Sequence, residues 1–361
     1  MIARNTAFTF KGKSIDAKEI GKELGVRYVL EGSVQRDGTR VRVNAQLIDA
    51  GSGAHLWADR FEEDVADLFK LQDQVVARLA NSLGNELAKA ETAKSARSKD
   101  PDAIDLTLRG EALLREAWNN KDKNDAARAL FEQALKIDPN QPEALAGEAS
   151  TYTTENAREW TKAETNDFLS IWRAHEAKIL ELVDRAIALA PDSESGYGAK
   201  SWYLFIAHRW DEALRAADAG LAINPNSAGL YGERGWIESE LGRFEQAKSD
   251  VLKAMRLSPH DPEMGGWHLN LGDAELGLGH LDAAIEEFHK ADNTGCCHEA
   301  APLSLAAAYA VAGKIDEAKS ALAEARSMEP KVTMKWLVEQ TFAPTLPPLF
   351  EGLRKAGLAE Q

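Results

Sequence analysis

The sequence predicts a mainly α-helical protein, in which about six helical hairpins stack into a superhelix that follows a small, truncated α+β domain. Two observations predict this architecture. A short phrase of small and apolar residues recurs six times in the C-terminal three quarters of the chain, and the first ninety residues show the alternating pattern of short strands. The length of 361 residues, with 44% hydrophobic and 28% charged residues, is typical of a folded chain of about two domains.

The recurring phrase predicts two closely packed helices in each unit. Its first instance reads Ala127, Phe131, Ala134, Pro139, and the same offsets of 4, 3 and 5 recur from five later starting points. Residues three and four apart share one helix face, so small residues there let a second helix approach, and proline then ends the helix. Each such helix follows another that carries its own small residue. The six instances start at Ala127, Ile179, Ala213, Ala247, Ala284 and Ala318, which are 52, 34, 34, 37 and 34 residues apart.

This series resembles the tetratricopeptide repeat, a pair of antiparallel helices of 34 residues that stacks into a right-handed superhelix. Six units begin near Asp105, Pro142, Glu194, Ala228, Gly265 and Glu299. The surplus of the longest step falls near residues 153–167, where we expect an elongated or bulged connection, and three extra residues fall near residues 261–266. Cys296 stands where the stop proline is expected, so Asn293, Thr294 and Gly295 should make that turn.

The first ninety residues predict a helix and three strands. Asp16, with Glu19 three residues on, favours a helix start, and Gly25 favours its end. Alternating apolar residues predict a hairpin that turns at residues 37–38, followed by a third strand over residues 54–61. Asp64 should then cap a long amphipathic helix. The predicted organisation is an α+β domain over 1–90, a linker over 91–104, repeats over 105–332 and a helical tail over 333–361.

Residues 2–8, 25–34 and 53–61 resemble the TolB-like domain that precedes such repeats in bacterial signalling proteins. Residues 351–358 are similar to the end of class III adenylate/guanylate cyclases. The resemblance implies a signalling role downstream of a cyclase domain, or in some relatives of a winged-helix DNA-binding domain. Only four residues precede Asn5, where the family has a further strand and helix. We therefore expect a truncated or separately encoded C-terminal part without a cyclase domain, whose sheet has an open edge that permits self-association.

Charge and hydropathy exclude several classes of function. Residues 1–98 hold 15 Lys and Arg against 14 Asp and Glu, so the rest of the chain carries a net charge of −16 and should repel nucleic acid. The sequence has no run of about 20 apolar residues and no export signal, so we expect no membrane span. Its two cysteines, Cys296 and Cys297, are adjacent, a spacing that disfavours a structural disulfide and is typical of a cytoplasmic protein.

The motifs that could carry chemistry are incomplete. Residues 7–14 imitate a phosphate-binding loop, but Ala7 replaces the first glycine. His175-Glu176 and His298-Glu299 begin like a zinc-protease helix, but Ile179 and Pro302 stand where the second histidine is needed. The run Cys296-Cys297-His298 leaves a soft-metal or oxidant-sensing role open beside a simple turn between repeats. We expect no catalytic residue, no cofactor and no metal site.

The candidate site is therefore a surface that binds a partner. The resemblance implies that the first helix of each hairpin lines the concave wall and exposes its ninth position there, which Trp202, Trp236 and Asp273 hold in three successive units. Trp202, with Phe205 nearby, and Trp236 could anchor a protein or peptide, while Glu240 or Asp273 receives a basic residue of it. Tryptophans that only fill gaps between hairpins are the alternative interpretation. We expect a non-catalytic interaction scaffold in cyclase-linked signalling; the alternatives are a cyclase fragment and a fragment of a winged-helix regulator.

Overall fold

The computed structural model describes residues 15–38, 40–64, 102–160, 168–259, 261–295, 297–339 and 346–361. The chain divides into two compact units, Met1–Glu91 and Thr92–Gln361. The phosphate-loop imitation at residues 7–14, the helix expected after Asp64, most of the predicted linker and Cys296 lie outside the described residues.

The described part of the first unit is one helix followed by a three-stranded antiparallel sheet. Helix α1 (Ala17–Leu24) begins where the Asp16 carboxylate accepts a hydrogen bond from the Lys18 amide, and it ends at Gly25, whose φ is 63°. The strands are β1 (Tyr28–Asp37), β2 (Arg40–Asp49) and β3 (His55–Asp64), in that order across the sheet. The predicted helix, hairpin and third strand are confirmed. Among the described residues β1 pairs with β2 alone, and Val34 on β1 is 70% exposed.

The second unit is a series of helices. The repeat helices among its described residues are α2 (Ala103–Leu114), α3 (Lys121–Ile137), α4 (Pro142–Ala157), α5 (Phe168–Leu189), α6 (Ser195–Ile206), α7 (Trp210–Ile223), α8 (Ala228–Glu240), α9 (Phe244–Leu257), α10 (Met264–Gly277), α11 (Leu281–Asn293), α12 (Ala300–Val311) and α13 (Ile315–Met328). Consecutive helices pack as hairpins, and each hairpin packs against the next. The helices form a tetratricopeptide-like superhelical arrangement, as the sequence predicts.

The recurring phrase explains both the packing and the ends of these helices. The residues of the phrase are almost completely buried: Ala127, Phe131 and Ala134 on α3 are 0% exposed, and so are Ala247, Val251 and Ala254 on α9. Glycines of neighbouring first helices leave space for the large member of the phrase, because a Cβ on Gly147 of α4 would lie 2.4 Å from the Phe131 ring. The second helices of five hairpins end two residues before the stop proline, at Ile137, Leu189, Ile223, Leu257 and Met328.

The departures from the 34-residue period also have structural counterparts. Helix α5 is 22 residues long, and it accommodates part of the extra length of the second repeat. The connection from α9 to α10 spans residues 258–263, which is longer than the connection from α7 to α8 over residues 224–227. At the missing proline, α11 ends at Asn293, and Gly295 takes a left-handed φ of 66°. The prediction that residues 293–295 make this turn is confirmed.

Two short helices follow the last hairpin, α14 (Met334–Glu339) and α15 (Pro347–Ala356). The amide of Met334 donates a 2.8 Å hydrogen bond to the carbonyl oxygen of Ala359, which ties the chain end to the start of α14. Helix α15 packs mainly on α12 and also touches α10 and α13. Leu349 and Leu353 on α15 are 4% and 0% exposed within the core of the last repeats. The C-terminal segment is therefore part of the hydrophobic core.

Candidate partner-binding surface

The predicted site residues lie on three successive first helices, but they are less exposed than the sequence suggests. Trp202 and Trp236 are partly buried on α6 and α8. Phe205, one turn after Trp202, is 4% exposed, and Asp273 on α10 is 8% exposed. The expectation of open side chains at the ninth position therefore holds in part for the tryptophans and fails for Asp273. Helix packing on both sides of α10 buries that position.

Trp202 belongs to an aromatic group that joins two non-adjacent hairpins. Its ring centroid lies 5.5 Å from that of Phe205 and 5.8 Å from that of Trp118, which meets it edge-on. The Arg158 guanidinium carbon lies 5.7 Å from the centre of the Trp118 ring. Sequence analysis missed Trp118 and Arg158, because both follow the ends of first helices and hold no repeat position. Together these four side chains form a partly exposed patch, the Trp202 patch.

Trp236 and Glu240 lie one turn apart on α8 and therefore on the same face of that helix. Trp236 packs against the core that contains the α15 leucines. Helices α8 and α10 approach closely, because Gly232 leaves room for the Trp267 ring; a Cβ there would lie 2.2 Å from Trp267 Nε1. The negative charge of Glu240 on α8 acts on the Asp273 carboxyl group of α10 and raises its pKa.

Several carboxyl groups of the first helices are held in an unfavourable environment for charge. Burial raises the pKa of Asp273 well above its usual value, and the negative charge of Glu240 raises it further. Burial also raises the pKa of Glu233 on α8 to about 8, although a hydrogen bond with Ser201 lowers it. Asp273 Oδ1 and Glu233 Oε1 are buried without a hydrogen-bond partner among the described residues. Such groups would gain from a cationic or hydrogen-bonding ligand.

The histidine motifs have other structural roles. His175 Nδ1 lies 2.8 Å from Asn156 Oδ1, and the His175 ring packs against Tyr152. Burial lowers the pKa of His175, which disfavours its charged form. His298 is exposed in a turn, with a φ of 38°. Over the described ranges, no three His, Cys, Asp or Glu side chains are placed to hold a metal ion.

Cys297 corrects one expectation from the sequence. It is disulfide-bonded, and the only other cysteine of the chain, Cys296, lies outside the described residues. The sequence disfavours a structural disulfide between adjacent cysteines, and the bond at Cys297 departs from that prediction. None of the helices in the described part of the chain is long and apolar enough to cross a bilayer.

Comparison with known proteins supports the repeat assignment. Residues 199–266 and residues 119–141 each match a tetratricopeptide repeat family model. Among solved structures, the chain is similar to the APC/C hetero-tetramer Cut9-Hcn1, with a TM-score of 0.54 and 16% identity over 73% of this chain and 47% of that one. It is also similar to a monomeric IFIT1 mutant with Gppp-AAAA, with a TM-score of 0.51 and 19% identity over 73% and 61% of the two chains. These likenesses concern the fold.

A relative in sequence is the Rhizobium meliloti (strain 1021) protein named "Putative adenylate cyclase 3". It is 36% identical over 218 residues, which are 60% of this chain and 35% of that protein. This chain therefore spans about a third of the relative. The chain contains tetratricopeptide repeats and has a relative named as a putative adenylate cyclase.

Proposed function

We propose that this chain is a non-catalytic scaffold that binds a protein or peptide segment along the concave wall of its repeats. Stacked helical hairpins of this kind present an extended concave surface for binding partners. The observation that carries the proposal is that Trp202 and Trp236 hold the ninth position of two consecutive first helices and are both partly exposed. The Trp202 patch supplies a rigid aromatic surface at low entropic cost, and within it the Phe205 ring packs against the Trp202 ring.

The partner that this wall favours is basic. The net charge of −16 beyond residue 98 attracts cationic segments and repels nucleic acid. Glu240 and Asp273 are the acidic residues that we assign to contact with the partner, and Trp202, Phe205 and Trp236 are the aromatic ones. An extended or helical peptide with basic and large apolar residues would complement both sets.

Selection from a peptide library tests this proposal. The purified full chain is immobilised and exposed to phage-displayed random 12-residue peptides, and enriched peptides are synthesised for titration. We expect enrichment of peptides with Lys or Arg next to large apolar residues, and at least tenfold weaker binding by the variant Trp202→Ala/Trp236→Ala. Trp57→Ala serves as the control, because Trp57 lies on β3 in the other unit. Selection of acidic peptides, of none, or of peptides that the double variant binds equally well would contradict the proposal.

We place this scaffold in cyclase-linked signalling in a bacterial cell. The 36% identical relative named as an adenylate cyclase supports this context, and the TolB-like resemblance of the first ninety residues is consistent with it. No three His, Cys, Asp or Glu side chains among the described residues are placed to hold a metal ion, and we expect no cyclic nucleotide when the purified chain is incubated with ATP or GTP and Mg²⁺ or Mn²⁺. Measurable cyclic AMP or cyclic GMP would instead favour the cyclase alternative.

We also propose a cytoplasmic location and self-association through β1. The location rests on the likeness to cyclase-type signalling proteins, and cell fractionation tests it.

Among the described residues the outer edge of β1 has no strand partner, and Val34 on it is 70% exposed. Light scattering should show a concentration-dependent dimer that Val34→Lys abolishes, because a lysine on an edge strand opposes pairing with a second chain.

A further inference from the structure

Asp273 on α10 is a buried carboxyl group that lacks a cation. Its side chain is 8% exposed, and Oδ1 has no hydrogen-bond partner among the described residues. Carboxyl groups are almost never buried in this way unless they are paired, because an isolated buried charge costs much free energy. In its charged form, the buried Asp273 carboxylate would therefore require a cationic partner.

Three other buried carboxylates of the second unit have a cation at contact distance. Arg128 Nη2 lies 2.5 Å from Glu155 Oε2, and Arg234 Nε lies 2.5 Å from Asp250 Oδ2. Glu275, two residues after Asp273 on α10, lies with its Oε1 2.8 Å from Lys248 Nζ of α9. Two further buried acids each lie within the field of two cations: Glu148 near Lys178 and Arg128, and Glu238 near Arg234 and Arg243. The charged group that acts on Asp273 is another carboxylate, Glu240.

Five cations of the surrounding helices pair with other carboxylates, while Lys253 of α9 donates to the Tyr231 hydroxyl and Arg256 lies near the end of the same helix. Helices α8, α9, α11, α12 and α15 pack against α10. Helix α12 contributes Tyr309, whose hydroxyl lies 2.7 Å from His289 Nε2 on α11, and His268 of α10 itself binds Glu287. Five cationic side chains on these packed helices pair elsewhere: Arg234 with Asp218 and Asp250, Lys248 with Glu275, Lys290 with Glu286 and Glu287, Arg354 with Glu360, and Lys355 with Glu351.

We propose that Asp273 and Glu240, with Trp236 one turn before Glu240 on α8, receive one cationic group of the partner, a lysine ammonium or an arginine guanidinium, and that Asp273 releases its proton to solvent as the cation enters. Two carboxyl oxygens and an aromatic face are the groups that bind such cations most strongly. This inference rests on the proposed function, because it specifies what the same wall accepts at one position.

Binding and proton release are coupled in this site. Without a ligand, burial and Glu240 favour the neutral acid form of Asp273. A cation at Oδ1 favours the carboxylate form of Asp273. Binding of the cation is therefore coupled to loss of the Asp273 proton. Affinity should therefore rise about tenfold per pH unit below the titration midpoint of Asp273 and become constant above it.

A probe of one residue tests the site directly. The full chain is labelled with ¹³C at the aspartate carboxyl carbon, and the Asp273 signal is assigned from the spectrum of Asp273→Asn. N-acetyl-arginine amide is titrated between pH 5 and 8, with N-acetyl-citrulline amide as its uncharged isostere. We expect a saturable shift of the Asp273 signal toward the carboxylate position with the arginine probe and none with citrulline. Glu240→Gln, which removes the neighbouring charge, should weaken the arginine response.

Controls separate this inference from the proposed function. Asp192→Asn, which changes an exposed residue between α5 and α6, should leave the arginine response unchanged. An equal response to citrulline, no response at millimolar arginine probe, or an Asp273 signal that is already ionised at pH 5 would overturn the inference. If Asp273→Asn binds the selected peptides as tightly as the wild type, the cation site is wrong and the scaffold proposal stands. If no peptide binds the wild type, the scaffold proposal itself fails.

Discussion

Gly352 of α15 lies against the backbone of Ala307 of α12, so closely that a Cβ on Gly352 would be 2.4 Å from the Ala307 carbonyl oxygen. Ala307 holds in the last repeat the ninth position that Trp202, Trp236 and Asp273 hold in the preceding ones. The C-terminal helix therefore covers this position in the last hairpin.

We expect Gly352→Ala to lower the free energy of unfolding by about 2 kcal/mol, because α15 must shift away from a backbone oxygen that cannot yield. Urea unfolding followed by circular dichroism measures the change. Gly229→Ala is the matched control: Gly229 also lies in a helix, but its Cβ would meet nothing within 4 Å. The control should be neutral or stabilising by about 0.5–1 kcal/mol. Equal behaviour of the two variants would contradict the close packing of α15 on α12.

Phe131 should be the most sensitive position of the first two hairpins. Its ring fills the space that Gly110 on α2 and Gly147 on α4 leave, where Cβ atoms would lie 2.7 Å and 2.4 Å from the ring. Phe131→Ala should cost about 3–5 kcal/mol in urea unfolding, because it leaves a cavity between three helices. Ile137→Ala, at an exposed position of the same helix, should cost less than about 0.5 kcal/mol. A small effect at Phe131 would show that the hairpins do not pack through this ring.

The stability of the chain should depend on Asp273 with a definite sign. The pKa of Asp273 is raised in the folded chain, so above the unfolded pKa the folded state holds a proton that the unfolded state has lost. Stability therefore falls as pH rises from the unfolded pKa toward the folded one. Asp273→Asn should flatten this fall and stabilise the chain by about 1 kcal/mol at neutral pH, measured by thermal unfolding at several pH values.

Asp192→Asn should leave that pH profile unchanged, because Asp192 is exposed. A profile that is steeper in Asp273→Asn than in the wild type would reverse the sign and contradict the buried neutral acid.

Trp202→Ala with Trp236→Ala should leave the helical fold largely intact. Both side chains are partly buried, so we expect a loss of about 1–2 kcal/mol in urea unfolding and an unchanged far-ultraviolet circular dichroism spectrum. Loss of helicity comparable to that of Phe131→Ala would show that the two tryptophans are packing residues, which is the alternative interpretation of the ninth position.

The repeat region could be predicted from the sequence because each hairpin is specified locally. A small residue, an apolar residue and a second small residue on one helix face determine the close packing, and the stop proline ends the helix two residues before it. The turn at Gly295 follows from the same local chemistry, since glycine adopts a left-handed backbone without strain. These features need no knowledge of distant residues.

The rest depends on contacts between distant parts of the chain. The ring contact between Trp118 and Trp202 joins the first and third hairpins. The long second hairpin separates the two residues in the sequence, so the sequence pattern does not predict this contact. The burial of Asp273 reflects how closely α8 and α10 approach through Gly232 and Trp267, and how α15 covers the last hairpin. The ninth position predicts which helix face a residue occupies, but not how deeply neighbouring helices bury it.

Hydrogen exchange of the full chain with and without a saturating selected peptide tests the central claim most directly. Binding along the concave wall predicts slower amide exchange in α6, α8 and α10, with little change in the second helices α7, α9 and α11. Protection confined to the second helices or to β1, with α6, α8 and α10 unchanged, would contradict the claim that this wall is the binding surface.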